Sequence, residues 1–195
     1  ELVHWYGPDD PFTDPWSTAP NSDLPINYFG SNGLSYLPSS PADVGPWGGG
    51  NADSIINGIN AGSFITLLRD HGSSDYYAVP EFHIQDVDGL QNIDFPTHVF
   101  SMACYNGAFN YNSQSLMEAF LLHKNGGIIS GTAATTWSWS FYNDCITWGM
   151  MDNLWPGFLP DNGYEIIPYR DFRPAFGLAA AKYFMFNSNW IETNI

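Results

Sequence analysis

The chain has 195 residues, of which 44% are hydrophobic and 17% aromatic, and its 20 acidic and 5 basic residues give a net charge of −15. This composition predicts one globular domain over residues 1–195 and excludes a disordered polar chain. Because so negative a surface repels phosphate groups, we expect no nucleic acid and no anionic lipid as partner. No apolar run approaches the ~20 residues that a membrane helix needs, so no membrane span is expected.

The first fifty residues are mostly irregular. Leu2–Tyr6 alternates apolar and polar residues and predicts an opening strand. Residues 11–50 are rich in Pro, Gly, Ser and aromatic residues without a helical period, which indicates an irregular insertion within the domain. Aromatic side chains would hold it against the core: Phe12, Trp16, Tyr28, Phe29, Tyr36 and Trp47.

A structural calcium ion is the one cofactor that the sequence leaves open. Four carboxylates near the start offer oxygen ligands: Asp9, Asp10, Asp14 and Asp23. Their spacing is not that of an EF-hand, and solvated turn carboxylates are the simpler interpretation. No cofactor is required by the chemistry inferred below.

Residues 51–104 predict a helix followed by two buried strands. Asn51 is a good N-cap for a helix that ends near Gly62 and has Ile55, Ile56 and Ile59 on one face. The apolar runs Phe64–Leu68 and 97–104, the second introduced by Pro96, are typical of parallel strands. Residues 73–95 between them resemble a loop, with a short helix near Gln85–Gln91.

The second half predicts a helix, a strand and two further helices. The first helix begins at Ser113 or Gln114 and runs through Lys124, and its apolar face is Leu116, Ala119, Phe120 and His123. A strand follows at Ile128–Thr132, then a Trp-rich loop and a helix at about Asp144–Leu154. A last helix follows Pro174, with Phe176, Ala179, Ala180 and Phe184 on one face. This alternation predicts an α/β layered fold with a mostly parallel central sheet flanked by helices.

Two chemically reactive residues follow the first two predicted strands. His71 follows the strand that ends at Leu68, and Cys104 ends the next strand along the chain. In open α/β sheets, functional residues collect at the carboxyl ends of the strands. A cysteine attacks as thiolate, and a nearby imidazole activates it and protonates the leaving amine. A lone cysteine or histidine is usually structural, but the pair at neighbouring strand ends indicates a thiol nucleophile and its base.

The neighbours of this pair suit the same chemistry. The backbone N–H groups of Gly72 and Cys104 could form an oxyanion hole. Asn106 and Gly107 would turn the chain away from the nucleophile, which places Asn106 among the candidate substrate-binding residues. The second cysteine, Cys145, is best interpreted as a small buried hydrophobic residue, although a disulfide with Cys104 stays open.

The ordered motifs resemble a known peptidase family. A block ending in Asp70-His71-Gly72-Ser73, followed by Ala103-Cys104-Tyr105-Asn106-Gly107-Ala108-Phe109, resembles the caspase-like clan of cysteine peptidases and, within it, the gingipain family C25. The likeness extends to Ser115–Phe120, Gly126–Ile129, Ala133–Ser138 and Phe176-Gly177. It covers about residues 51–185 and the strand Leu2–Tyr6.

This resemblance implies a caspase-like fold and hydrolysis of peptide bonds through an acyl-enzyme. It assigns Cys104 as nucleophile, His71 as base and acid, and the amides of Gly72 and Cys104 as oxyanion donors. Trp137 matches an aromatic residue that borders the pocket for the P1 side chain. Gingipain-like peptidases prefer Arg or Lys at P1, which requires an acidic pocket, and Asp75 and Glu81 are the local acidic candidates.

The chain also departs from the family pattern. The family's upstream strand, helix and acidic residues have no counterpart before Leu2, and its closing segment after the last helix is missing. We therefore expect a domain incomplete at both ends that associates with the remaining N-terminal and C-terminal parts of the same precursor. The expected location is secreted or at a bacterial cell surface.

Two alternatives to a hydrolase stay open from the sequence. The same Cys–His pair would serve a transpeptidase of the sortase type in a bacterial surface-attachment secretion system, where a protein amine replaces water. A non-catalytic binding module on the same fold is the other alternative, with the aromatic insertion as a stacking platform. The presence of both His71 and Cys104 with their glycine neighbours favours a cysteine peptidase that acts on a protein or peptide substrate.

Overall fold

The computed structural model describes residues 23–40, 43, 50–111, 113–159 and 172–187. The predicted opening strand Leu2–Tyr6 lies outside these ranges, as does much of the predicted insertion at 11–50. The carboxylates of Asp9, Asp10 and Asp14 also lie outside them, and the described part of Asp23 is its backbone. The structural calcium site therefore stays a prediction.

The described strands form two sheets. β1 (Ile65–Arg69), β4 (Thr97–Met102) and β5 (Ile128–Ala133) make a parallel sheet in the order β1-β4-β5. β2 (Tyr76–Tyr77) and β3 (Phe82–His83) make a separate small antiparallel hairpin, which lies between β1 and β4 in the sequence. The predicted parallel sheet is confirmed, with strand ends shifted by one or two residues. The hairpin was not predicted, because strands of two residues carry no recognisable alternation.

Every residue of the central strand β4 is buried. Its side chains alternate between two apolar layers, as expected for a parallel strand covered on both faces. Val99 packs on one face with Leu68 of β1, beneath α2 (Ala52–Asn60) and α3 (Leu116–Leu122). Phe100 and Met102 pack on the other face against α4 (Ser140–Leu154) and α5 (Pro174–Asn187). The predicted α/β layered architecture is confirmed.

The caps of α2 and α3 follow from local sequence. The Asn51 side chain accepts a hydrogen bond from the Ser54 amide at 2.9 Å, and Ile55 and Ile59 are fully buried, as predicted. Ser115 is the N-cap of α3, where its hydroxyl accepts from the Glu118 amide and the Glu118 carboxylate accepts from the Ser115 amide. This reciprocal cap starts α3 at Leu116, two or three residues later than the predicted Gln114 or Ser113.

The last two helices pack closely on each other. α4 begins at Ser140, four residues before the predicted start at Asp144. The buried residues of α5 are Gly177, Ala181 and Phe184. Of the predicted face, Phe184 is therefore confirmed, whereas Phe176, Ala179 and Ala180 do not belong to the buried face. A Cβ on Gly149 of α4 would lie 2.7 Å from the Ala181 Cα, so α5 turns its small residues toward α4. None of the helices in the described part of the chain has the length and apolar character needed to cross a membrane.

A short helix joins the aromatic segment near the start to α4. α1 (Asp23–Phe29) ends in the buried Phe29, whose ring lies 5.3 Å from Trp148 of α4 and 6.0 Å from Phe158. The Tyr36 hydroxyl donates to the Phe158 carbonyl at 3.0 Å. Rings therefore attach residues 28–36 to the outer surface of α4. A 3-10 helix, Ile84–Gly89, lies where a short helix near Gln85–Gln91 was predicted.

Candidate active site

The parallel register places His71 and Cys104 at the same edge of the sheet. β1 and β4 pair residue by residue up to Arg69 opposite Met102. His71 and Cys104 each follow two residues beyond this last pair. The carboxyl ends of neighbouring parallel strands open at one edge. The structure therefore brings the two loops that carry these residues side by side.

The turn after His71 is shaped by a backbone bridge between Gly72 and Tyr77. Its two hydrogen bonds run from the Ala78 amide to the His71 carbonyl at 2.9 Å and from the Ser73 amide to the Tyr76 carbonyl at 3.0 Å. Both bonds flank Gly72, so the bridge does not use the Gly72 amide. A Cβ on Gly72 would lie 2.9 Å from the Ala103 Cβ, so only glycine lets the His71 turn approach the Cys104 loop this closely. The His71 side chain is exposed at this turn.

Cys104 carries a free, half-buried thiol. Its S–H donates to the Ser138 carbonyl at 3.3 Å, and the Ser138 amide donates to Sγ at 3.4 Å. Among the described residues, the hydrogen bonds of this sulfur go to Ser138, and none joins it to the His71 ring. Tyr105 follows with φ of +60°, and its amide donates to the Thr136 carbonyl at 3.0 Å. The Cys104 loop is thus held against the segment that leaves β5.

Asn106, which the sequence predicts as a substrate-binding residue, is fully buried. Its amide nitrogen donates to the carbonyls of Ser73 and Tyr76, the latter at 2.8 Å. Its amide oxygen accepts from the Ser101 hydroxyl at 2.6 Å. A buried amide with these three bonds links the His71 turn to the Cys104 loop. The sequence signal was available, since Asn in a turn commonly bonds to nearby backbone, but the two backbone partners of Asn106 lie 33 and 30 positions away.

Trp137 belongs to an aromatic cluster beside Cys104. Its side chain is 69% exposed, and its ring meets Tyr105 edge-on at 5.2 Å. Tyr105 in turn stacks on Tyr111 at 5.9 Å. We call Tyr105, Tyr111 and Trp137 the aromatic cluster. The two tyrosines were missed from the sequence, although a tyrosine next to the candidate nucleophile was a visible signal.

The two acidic candidates for the P1 pocket, Glu81 and Asp75, lie in different environments. The Glu81 carboxylate pairs with the His83 ring at 2.7 Å on the β2–β3 hairpin, and Asp75 is exposed. Beneath the His71 turn, burial and then the neighbouring Asp70 carboxylate raise the pKa of Tyr77, which keeps its hydroxyl protonated. Within the described ranges, no three His, Cys, Asp or Glu side chains cluster in a way that could hold a metal ion.

The second cysteine, Cys145, carries an unreactive thiol. Cys145 is free and fully buried, packed with Phe29, Leu159 and Phe184. Burial raises the pKa of its thiol to about 12, so it stays protonated at neutral pH. The prediction of a small buried hydrophobic residue is confirmed, and no disulfide joins it to Cys104.

Two solved structures are similar in fold to this chain. The crystal structure of the Arg-specific cysteine proteinase gingipain R is similar, with a TM-score of 0.60 and 21% identity over 74% of this chain and 32% of that one. The complex of the Porphyromonas gingivalis RgpB pro- and mature domains has a TM-score of 0.53 and 24% identity over 54% of this chain and 26% of that one. The expected caspase-like fold is thereby confirmed.

The sequence comparisons identify the family. Gingipain R2 of Porphyromonas gingivalis is 31% identical over 81 residues, which are 42% of this chain and 11% of that protein. This chain therefore spans a small part of that relative. The model of peptidase family C25 matches residues 29–185, which is most of the chain. The expected resemblance is confirmed, and the chain belongs to peptidase family C25.

Proposed function

We propose that this chain carries the catalytic pair of a cysteine endopeptidase, with Cys104 as nucleophile and His71 as base and acid. The observation that supports it most is the strand register, which sets both residues two positions beyond the last paired residues of β1 and β4. Membership of a family of peptidases agrees with this chemistry.

The proposed reaction has two steps. His71 takes the proton of the Cys104 thiol, and the thiolate attacks the peptide carbonyl carbon. The tetrahedral intermediate collapses when the C–N bond breaks and His71 passes this proton to the leaving amine. Water, deprotonated by His71, then attacks the thioester, and the C–S bond breaks to release the new carboxylic acid. The Cys104 thiolate then takes the proton back from His71, which restores the thiol, and atoms and charge balance over the cycle.

The backbone amides of Gly72 and Cys104 are the proposed oxyanion donors. The Gly72 amide suits this role because the bridge to Tyr77 leaves it unused. One such donor lowers the barrier by about 3–4 kcal/mol in related chemistry. For attack, the Cys104 thiol would leave the Ser138 carbonyl and turn toward His71. Catalytic hydrogen bonds are often long before substrate binds and tighten in the complex.

The proposed substrate is a protein or peptide with Arg or Lys at P1, placed against Trp137. Support comes from the Arg-specific proteinase that the fold resembles and from the exposed Trp137 ring near Cys104. A chain with five basic residues also offers few sites for self-cleavage. Because Glu81 is already paired with His83, we propose that the P1 acid is Asp75 or comes from other parts of a longer precursor. We also propose that the protein is secreted or displayed at the cell surface.

Hydrolysis of peptides with Arg, Lys or Asp at P1 tests the proposed function. The proteins compared are wild type, Cys104→Ala and His71→Ala, each as this chain and within its longest available precursor. We expect cleavage after Arg or Lys that falls at least about 10³-fold in either variant. Cleavage that survives Cys104→Ala, or no cleavage by any wild-type form, would contradict the proposal.

A further inference from the structure

We propose that Asn106 is a positioning residue that holds the His71 turn against the Cys104 loop; this rests on the proposed function. Asn106 follows Cys104 by two residues, and its bonding partner Ser73 follows His71 by two residues. The Asn106 side chain therefore links the chain two residues beyond one proposed catalytic residue to the chain two residues beyond the other.

The bonding pattern requires a carboxamide at this position. Two N–H donors are needed, for the carbonyls of Ser73 and Tyr76, together with one oxygen that accepts from the Ser101 hydroxyl. Ser101 lies on β4, so its hydroxyl fixes the amide oxygen on the strand side and turns the NH₂ group toward the His71 turn. Aspartate has no donor to offer, and alanine has neither function.

The Asn106 backbone is held as firmly as its side chain. Its carbonyl accepts from the Met117 amide at 3.0 Å, which ties the loop to the first turn of α3. The next residue, Gly107, donates its amide to the Ala134 carbonyl at 2.9 Å beyond β5. The side chain thus joins the His71 turn to a loop that is already fixed on two other sides.

Full burial excludes contact between Asn106 and a substrate. Asn106 can therefore affect the reaction only by setting the distance between the His71 ring and the Cys104 sulfur. A displacement of about 1 Å between reacting groups can lower a rate about 10²-fold. Loss of the Asn106 amide should therefore lower kcat and leave KM nearly unchanged.

Asn92 offers a matched control within the same chain. It is 2% exposed, donates to the carbonyls of Phe95 at 3.2 Å and Gly127 at 2.9 Å, and accepts from the Gly127 amide at 2.7 Å. Like Asn106, it is a buried side chain with three hydrogen bonds, two of which reach another loop. Its loops enter β4 and β5, however, at the edge of the sheet opposite Cys104. Asn92→Ala should lower stability much as Asn106→Ala does, without reaching the catalytic pair.

The test measures the rate of Cys104 alkylation by iodoacetamide between pH 4 and 9, together with kcat, KM and urea unfolding. The proteins are wild type, His71→Ala, Asn106→Ala, Asn106→Asp and Asn92→Ala, all as the full chain. The other titratable groups of this turn and its flanks, which are Arg69, Asp70, Asp75, Tyr76 and Tyr77, are unchanged in every variant. Alkylation reports on the Cys104 thiol even where no substrate is cleaved.

We expect the wild-type pH profile to contain an inflection that His71→Ala removes. Both Asn106 variants should lose this inflection and about 10²-fold in kcat, while Asn92→Ala keeps both. An Asn106→Ala protein that keeps the inflection and a kcat within about threefold of wild type would overturn the positioning role alone. Equal losses in Asn92→Ala would assign the effect to general stability and overturn it as well. A profile that His71→Ala leaves unchanged would contradict the proposed pair itself, and the positioning role with it.

Discussion

Buried polar side chains mark both edges of the parallel sheet, and they differ in how well their bonding groups are satisfied. Asn106 at the carboxyl edge and Asn92 at the amino edge each use their amide for three hydrogen bonds. His98 on β4 bonds through Nδ1 to the Ser130 hydroxyl at 2.7 Å, but its buried Nε2 has no hydrogen-bond partner among the described residues. A buried imidazole with one unmatched nitrogen is held in its neutral form.

This state of His98 makes stability depend on pH. Burial lowers the pKa of His98 to about 4, from 6.5 in the unfolded chain. Between these values the unfolded state binds more protons, so stability falls as pH decreases from about 6.5 to about 4. We expect His98→Asn to remove up to about 1.4 kcal/mol per pH unit of this slope. Urea unfolding of both proteins at pH 4.5, 5.5 and 7 measures it; parallel stability curves would contradict the expectation.

The residues of the site were predictable to different degrees. His71 and Cys104 could be selected because reactive residues after buried strands are visible in one sequence. The role of Asn106 could not, because its partners Ser73 and Tyr76 lie across a sheet edge that only the strand register defines. The sequence offered Asn106 as a turn residue, and burial makes it an internal link.

At the scale of elements, the contact between α4 and α5 depends on one glycine. A Cβ on Gly149 would lie 2.7 Å from the Ala181 Cα and 2.9 Å from the Phe184 Cβ, which are atoms that cannot rotate away. Gly149→Ala should therefore destabilise the protein by about 1–3 kcal/mol, despite the higher helix propensity of alanine.

Gly177 of α5 is the matched control for this substitution. A Cβ there would meet Asn153 and Met150 side-chain atoms at 3.7 Å, an ordinary contact distance. Gly177→Ala should leave stability unchanged or raise it by up to about 1 kcal/mol. Thermal and urea unfolding of both variants measure these changes. A Gly149→Ala protein as stable as wild type, or a Gly177→Ala protein that loses as much stability as Gly149→Ala, would refute the close packing of α4 on α5.

The N-terminal cap of α3 gives a second prediction at this scale. The buried Ser115 hydroxyl accepts from the Glu118 amide at the start of a helix that places Leu116 and Phe120 in the core. Ser115→Ala should cost about 1 kcal/mol of unfolding free energy. The exposed Ser113 is the control, and Ser113→Ala should change stability by less than about 0.5 kcal/mol. Urea unfolding measures both changes. Equal losses of unfolding free energy in Ser115→Ala and Ser113→Ala would show that the cap does not stabilise α3.

Elements with clear periodicity or caps were predictable, and those shaped by contact were not. The three parallel strands and the Asn51 cap appear where apolar runs and cap residues indicate them. The buried face of α5 was misjudged, because the choice between Phe176 and Gly177 depends on how near α4 lies. The β2–β3 hairpin escaped prediction because four residues are too few to show a period.

At the scale of the whole molecule, the α/β layers serve one geometric purpose. Helices cover both faces of β4, which fixes the strand ends, and the loops beyond those ends carry His71, Cys104 and the aromatic cluster. The layered fold was predictable because alternating strands and helices with parallel-type strands allow few other arrangements. The relative position of the loops required the observed register of β1 on β4.

The most direct test of the catalytic pair is labelling with an acyloxymethyl ketone of a peptide with Arg at P1, read by intact mass and peptide mapping. We expect one adduct on Cys104, absent from Cys104→Ala and formed at least about 10²-fold more slowly in His71→Ala. Cys145 serves as the internal control, since its buried, protonated thiol should stay unlabelled. An adduct on Cys145, or labelling of Cys104 at the wild-type rate without His71, would contradict the proposed catalytic pair.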